Sequence, residues 1–170
     1  MIRQMTNNIF LGLGGNLGTP LDFFREARQQ LSQHQHIVLH ASSPLYRCPA
    51  VGGPAEQPDY LNTVLEVSTG LSPHQLLGIC AGIEQACGRT RKVRWAARTL
   101  DIDLLLFGQS VSDDPLLTLP HPRLHDRHFV LLPLVDLAPE LRHPCLQRTV
   151  SQLLQDLPEP TGITKLSDIW

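Results

Sequence analysis

An α+β fold with a ferredoxin-like βαββαβ antiparallel sheet and additional C-terminal helices is predicted by three observations. A capping residue followed by proline, the mark of a helix start, occurs at Thr19-Pro20 and again at Ser72-Pro73. Each helix is preceded and followed by short runs of strand character. The resulting order up to residue 107, strand-helix-strand-strand-helix-strand, is that of two split βαβ units.

Taken in order, Ile9 to Leu13 is an apolar run ended by Gly14-Gly15-Asn16, which reads as a buried strand entering a turn. After Thr19-Pro20, Leu21, Phe24, Ala27 and Leu31 form an apolar helical stripe, and Asp22 sits three residues past the cap. Ile37 to Leu39, continuing loosely to Tyr46, reads as a second strand weakened by Ser42-Ser43-Pro44; the proline- and glycine-rich stretch Pro49 to Pro58 is a loop. From Tyr60 to Ser68 the residues alternate, Leu61, Thr63, Leu65 and Val67 against Tyr60, Asn62, Val64 and Glu66, as in a half-buried strand. Ser72-Pro73-His74-Gln75 then opens a helix carrying Leu76, Ile79, Cys80, Ile83 and Cys87, and Gly88 stops it. A basic loop leads to a strand over Thr99 to Phe107. Pro122 to Leu137 and Thr149 to Leu157 read as further helices. The tail to Trp170 carries no readable signal. Without a repeat, low-complexity tract or long linker, residues 1–170 read as a single domain.

Composition excludes several classes. With 42% hydrophobic and 18% charged residues, the 170-residue chain is neither disordered nor fibrous, and it is long enough to build a core without staples. A formal charge of −2 gives no general attraction to nucleic acid or anionic membrane, so any anion site is local. Cys48, Cys80, Cys87 and Cys145 form no C-x-x-C pair, and the first residues lack the apolar stretch of a signal peptide. No apolar run approaches the roughly 18 residues of a membrane span. The expectation is a cytoplasmic protein with neither nucleic acid nor membrane as partner.

Five of the ten residues from 89 to 98 are basic, Arg89, Arg91, Lys92, Arg94 and Arg98, while the remaining 160 positions hold nine. Two residues beyond Thr99, Asp101 and Asp103 must project to one side of their strand. Carboxylates so placed lie roughly 7 Å apart and repel by about 2 kcal/mol at an effective dielectric of about 20. Two readings offset that cost: a structural ion-pair network with the arginine loop, or divalent metal, since Mg²⁺ takes carboxylate together with phosphate and water oxygens. The acids and the guanidinium groups together describe a polyphosphate site. Cations so crowded repel until phosphate arrives, which implies a loop that closes over its ligand.

Known nucleotide motifs are missing: Gly12 to Gly18 has Leu17 where the third glycine of G-x-G-x-x-G belongs, and no Gly-Lys-Ser/Thr occurs. The glycine run is a tight turn, with or without a ligand near it. His121, His125 and His128 have helical spacing, but Pro120 and Pro122 bracket the first, which places it ahead of the helix rather than on a zinc-binding face. Near Arg123 and Arg127, His121 suits either phosphate donation or the capping of a helix start. Tyr60 and Asn62 share a strand face; a ring and an amide there fit a flat heteroaromatic, or are ordinary sheet residues.

The segment Arg94 to Leu105, Arg-Trp-Ala-Ala-Arg-Thr-Leu-Asp-Ile-Asp-Leu-Leu, resembles the signature of the 6-hydroxymethyl-7,8-dihydropterin pyrophosphokinases of folate biosynthesis. Gly12 to Gly18 resembles that family's opening turn, Gln57-Pro58-Asp59-Tyr60-Leu61-Asn62 its pterin-side segment, and Leu119 to Arg123 with Arg127, Phe129 and Pro133 its late segment. The resemblance implies pyrophosphate transfer from ATP to the substrate's hydroxymethyl group, giving AMP. It implies two Mg²⁺ ions on Asp101 and Asp103, with Arg89 and Arg98 beside them in catalysis. Glu84, Arg91, Lys92, Arg94, Ile102, Leu104, His121 and Arg127 would contact ATP. The pterin would lie between Tyr60 and Phe129, with Asn62 at its edge, Cys48, Pro49, Val51 and Gly52 around it, and Trp95 closing over it. This chain departs from the family pattern at Gly15, Cys48, Ala50 and Ala97, but not at the acid pair or Asn62.

Two other readings stand beside this one, an RNA-binding ferredoxin-like module and a non-catalytic pterin binder. Nine aromatic residues in the chain, no paired aromatics on the third and fourth strands, and an Asp-x-Asp strand that would repel a phosphate backbone argue against RNA.

Overall fold

The structure is a computed structural model that describes residues 4–51, 56–88 and 97–170. Its strands are β1 (Thr6–Gly15), β2 (Ile37–Ser42), β3 (Leu45–Cys48), β4 (Tyr60–Thr69), β5 (Asp101–Phe107), β6 (Ser112–Asp114), β7 (Leu117–Leu119) and β8 (Thr164–Ser167). Its helices are α1 (Pro20–Gln33), α2 (Pro73–Ala86), α3 (His128–Leu137) and α4 (Val150–Gln155), with a 3₁₀ turn at Leu124–Asp126. The main sheet has the order β5-β1-β4-β3-β8, with β2 also paired to β4, and all its pairings are antiparallel.

Both faces of this sheet are used. On one, α1 and α2 bury Phe24, Ala27, Leu31, Leu76, Cys80 and Ile83 against Ile9, Leu11, Leu13, Leu65 and Val67. On the other, α3 and α4 place Leu131, Leu134 and Leu153 over Phe10, Val64 and Leu105. β4 is therefore covered on both sides along most of its length, a correction to the half-buried strand expected from its alternation. Val64, on the face read as the more polar, is buried because the late helices return to cover it.

Not every start signal forms its expected side-chain bond. Ser72 and Gln75 form a reciprocal capping box, and Gly88 ends that helical segment at a left-handed φ of +76°. Thr19 holds the N-cap position of α1 without a side-chain cap hydrogen bond. The weak second strand divides at Ser43-Pro44. There the Ser43 N–H donates to the Val64 carbonyl and the Val64 N–H donates to Ser43 Oγ, so the ladder survives the proline that follows. The helix expected over Pro122 to Leu137 begins only at His128, since residues 124–126 form the 3₁₀ turn. Thr149 caps α4 with a second box. The hairpin β6–β7 and the edge strand β8 carry no signal in the sequence. Two short strands of three residues and a polar strand of exposed residues offer no apolar period to read.

The strand bearing the acids is held by a buried carboxylate. Glu84 on α2 accepts a 2.6 Å hydrogen bond from the Ile102 N–H, so the outer edge of β5 is pinned to the helix layer as the strand begins.

Candidate active site

The part of the sheet left open by α3 forms a cavity of about 700 Å³. Its floor follows from register. Gly14 on β1 stands between Asn62 on β4 and Asp101 on β5; one step along the same face, Gly12 stands between Val64 and Asp103. Bare backbone therefore separates the acids from the amide, and a ligand can lie low across β1. Gly15 has a different reason for being glycine: a Cβ there would fall 2.4 Å from the Thr99 carbonyl oxygen, which is main chain and cannot yield cheaply. That close approach lets the N–H groups of Asn16 and Leu17 both donate to the Arg98 carbonyl.

Asn16 is a residue that sequence reasoning left without a role of its own. Its buried side chain accepts from the Arg98 N–H at 3.0 Å and donates to the Pro58 carbonyl at 3.0 Å. One amide thus ties the end of the basic segment to the segment entering β4. A buried asparagine following a strand-ending glycine pair is the signal that could have found it. Asn16→Ala is expected to raise KM for both substrates several-fold with a smaller change in kcat, in steady-state assays varying each in turn; a change confined to one substrate would contradict the tie.

The acids are unequal. Asp101 forms an ion pair and hydrogen bond with Arg98, whose guanidinium also hydrogen-bonds the Tyr60 hydroxyl. The structural ion-pair reading is thus realised for Asp101. Burial alone would lower the Arg98 pKa, but Asp101, with Tyr60 and Asp103 behind it, outweighs burial and holds the guanidinium above its ordinary value. Asp103 has no such arginine partner in contact among the described residues; His121 Nε2 lies 3.9 Å from it. Although 41% of its side chain faces the cleft, that cleft is deep and walled by protein. Desolvation first, then repulsion from Asp101, push the Asp103 carboxyl up to about 7, with Arg127 and Arg98 pulling the other way.

His121 is held neutral. Burial, then the charge of Arg127, lowers it to about 4. The Arg123 N–H donates to His121 Nδ1, which leaves the proton on Nε2 as a donor facing the acids. Arg127 sits 5.5 Å over the Phe129 ring, and both line the cavity, as does Arg123. Opposite them are Tyr60, Cys48, Pro49 and Val51. Burial pushes the Cys48 thiol up to about 11, so it stays a neutral packing group.

Two buried polar atoms have no well-formed hydrogen bond among the described residues: Thr99 Oγ1, and Asn62 Nδ2 in this floor, whose neighbour the Cys48 thiol is at best a weak acceptor. An orphaned amide donor in a cavity wall costs roughly 1–3 kcal/mol, which a ligand acceptor would recover. Of the other expected contacts, the side chains of Ile102 and Leu104 point into the helix-side core and Glu84 is engaged with Ile102. Arg89, Arg91, Lys92, Arg94, Trp95 and Gly52 lie outside the described residues.

A sheet that joins a carboxylate pair, guanidinium groups, a neutral imidazole donor and an aromatic-and-amide wall has the donor set that phosphoryl-group transferases need. Comparison with known proteins narrows the class. Residues 10–139 match the model of the 7,8-dihydro-6-hydroxymethylpterin-pyrophosphokinase (HPPK) family, and the chain belongs to that family. It is 42% identical over 140 residues to the 2-amino-4-hydroxy-6-hydroxymethyldihydropteridine pyrophosphokinase of Pseudomonas aeruginosa, covering 82% of this chain and 86% of that one. It is 38% identical over 154 residues to the Synechocystis enzyme of the same name, covering 91% and 78%. Among solved structures, the Plasmodium falciparum HPPK-DHPS A437G with pteroate shares the fold at a TM-score of 0.67 and 16% identity. There the match covers 88% of this chain but 43% of that longer one.

Proposed function

We propose that this chain transfers the pyrophosphoryl group of ATP to the hydroxymethyl oxygen of 6-hydroxymethyl-7,8-dihydropterin, giving AMP and the dihydropterin diphosphate in folate biosynthesis. The observation that carries the reading is the floor of the cavity. The acid pair and the orphaned Asn62 amide face one another across two glycines, in a chain of the pyrophosphokinase family. A flat heteroaromatic over Asn62 would direct a short substituent toward Asp101 and Asp103.

The donor set fits magnesium. Two carboxylates with no third ligand group among the described residues suit a hard cation that completes its shell with phosphate and water oxygens. Asp101 and Asp103 would hold two Mg²⁺ ions, which when bound neutralise phosphate charge and polarise the phosphoryl oxygens. Around them His121 donates from Nε2 to a phosphate oxygen, and Arg127 and Arg98 supply guanidinium donors. With the substrates so held, the hydroxymethyl oxygen bonds to the β-phosphorus as the bond to the oxygen bridging from the α-phosphorus breaks. AMP leaves with that oxygen, and the hydroxyl gives its proton to Asp103 or to a water molecule. Tyr60 and Phe129 flank the pterin ring, and Cys48, Pro49 and Val51 border it. Any ATP contact by Ile102 and Leu104 is left to their main chain on the edge strand β5.

The strand order β5-β1-β4 followed by β2 and β3 supports the ferredoxin-like reading, with the second strand in two pieces and β8 added at its edge. Residues 1–170 act as one domain, a cytoplasmic monomer on small-molecule substrates. No helix among the described residues is long and apolar enough to cross a membrane, and the net charge of −2 offers no broad anion-binding face. Mass spectrometry of products from ATP, Mg²⁺ and the dihydropterin alcohol tests the reading. AMP and a substrate heavier by a diphosphate are expected; ADP with a monophosphate ester, or no conversion, overturns it.

A further inference from the structure

The family match ends at residue 139, yet the cavity does not: Thr161 and Ile163 line it too. They reach it because β8 adds to the sheet beside β3, with Arg47 opposite Thr164 and Tyr46 opposite Lys165. Tyr46 donates to Asp136 on α3 at 2.6 Å, and Lys165 pairs with the same carboxylate at 3.1 Å, so both face α3. Cys48, two residues beyond Tyr46 on β3, and Ile163, just ahead of β8, both border the cavity. The floor thus runs from the acids on β5 across β1, β4 and β3 to β8, four strand spacings or roughly 19 Å.

The segment carrying Ile163 is fastened at both sides. Gly162, at φ +74°, lies so close over Pro49 that a Cβ there would meet the ring at 2.8 Å. Trp170 is buried in the helix-side core, donates from Nε1 to the Ser43 carbonyl at 2.8 Å, and is covered by Arg28 at 4.6 Å. Between these anchors Thr161 stays exposed and Ile163 half-buried, presented to the cavity rather than to the core.

We propose that Ile163, held in place by the docked C-terminal strand, is the specificity wall of this cavity, contacting the edge of the heteroaromatic substrate remote from its hydroxymethyl group. The inference rests on the function proposed above. With the hydroxymethyl end at the acids and the ring over Asn62, the far edge of the substrate meets Cys48 and Ile163, where the isoleucine side chain rejects added bulk by overlap.

The test compares Ile163→Ala and Ile163→Trp with the unaltered protein. It uses the dihydropterin alcohol and an analogue bearing one extra methyl on that remote edge, with KM for each substrate, the Kd of each pterin by fluorescence titration without ATP, and Tm. Ile163→Ala should raise the ratio of kcat/KM for analogue over parent about tenfold, the worth of roughly one methyl group in a pocket. Ile163→Trp should weaken parent binding about tenfold or more. The KM for ATP should stay within about twofold in both. An unchanged analogue preference, or an ATP KM that moves in step with the pterin KM, overturns the proposal. Because the Kd titrations need no turnover, absence of AMP from the unaltered chain would sink the proposed reaction while the binding data still decide the wall.

Discussion

Asp101→Asn is expected to lower kcat at least about 10³-fold while changing the Kd of the dihydropterin alcohol by less than about threefold, because the acid stands two strands away from the amide that reads the ring. Asparagine is the better substitution for the test. It keeps an acceptor for the Arg98 guanidinium, whose side chain is 29% exposed and would otherwise lose its partner in a part-buried setting. Asp101→Ala should show the same kinetic loss together with a fall in Tm, and the difference in Tm between the two variants measures the structural share of the pair. The ion pair also makes a prediction of its own. If cation and Arg98 compete for this carboxylate, releasing the arginine costs part of the binding energy, and Arg98→Met should tighten Mg²⁺ measured alone even as it slows turnover. Stopped AMP production, retained pterin fluorescence quenching and weakened Mg²⁺-dependent nucleotide binding form the expected set for Asp101→Asn; normal AMP production would refute the metal-holding role.

Much of this site is legible in the sequence because strand periodicity is a hard constraint. Once Thr99 to Phe107 is a strand, Asp101 and Asp103 cannot avoid sharing a face, and Tyr60 and Asn62 follow by the same rule. Helix boundaries around α2 are legible because Ser72, Gln75 and Gly88 each carry a local mechanism. What sequence could not supply is anything that depends on which strands become neighbours. Gly12 and Gly14 look like turn residues until β1 is seen between the acids and the amide, where their missing side chains open the floor. The ion pair of Asp101 with Arg98, while Asp103 has no arginine in contact among the described residues, is a matter of side-chain reach that spacing does not decide. The tail was opaque for a plain reason: β8 is an exposed four-residue edge strand whose partner lies more than a hundred residues earlier, and Trp170 finds its pocket only after α1 and β2 have formed one. His121 was placed ahead of its helix by the prolines beside it, but the length of that interruption was not, because Leu124–Asp126 forms a 3₁₀ turn with no apolar period.

In the absence of divalent cation, stability should fall as pH rises from about 4 to about 7 by the amount that Asp103 contributes, and Asp103→Asn should remove that fall. With its carboxyl pushed up from 3.8 to about 7, the folded protein retains a proton that the unfolded chain releases, so the contribution is complete below the unfolded value and gone above the folded one. His121 works in the opposite sense over an overlapping range. Held neutral down to about 4, it leaves the unfolded chain binding the extra proton below 6.5, so its contribution is present above 6.5 and is lost as pH falls toward 4. Both proteins contain His121, so its contribution cancels in the variant-minus-parent difference in Tm except for its coupling to Asp103, 3.9 Å away. That difference should grow in the variant's favour between pH 4 and 7 and then level off. Magnesium should reverse the order above about pH 7, stabilising the parent and not the variant, since a cation binds the deprotonated carboxylate. Its apparent affinity for the parent should drop about tenfold from pH 6.5 to 5.5, one proton being displaced per binding event. A flat Tm difference across pH 4 to 8, or a cation affinity indifferent to pH over that interval, would show that the second acid is an ordinary surface carboxylate rather than one held in reserve for a metal.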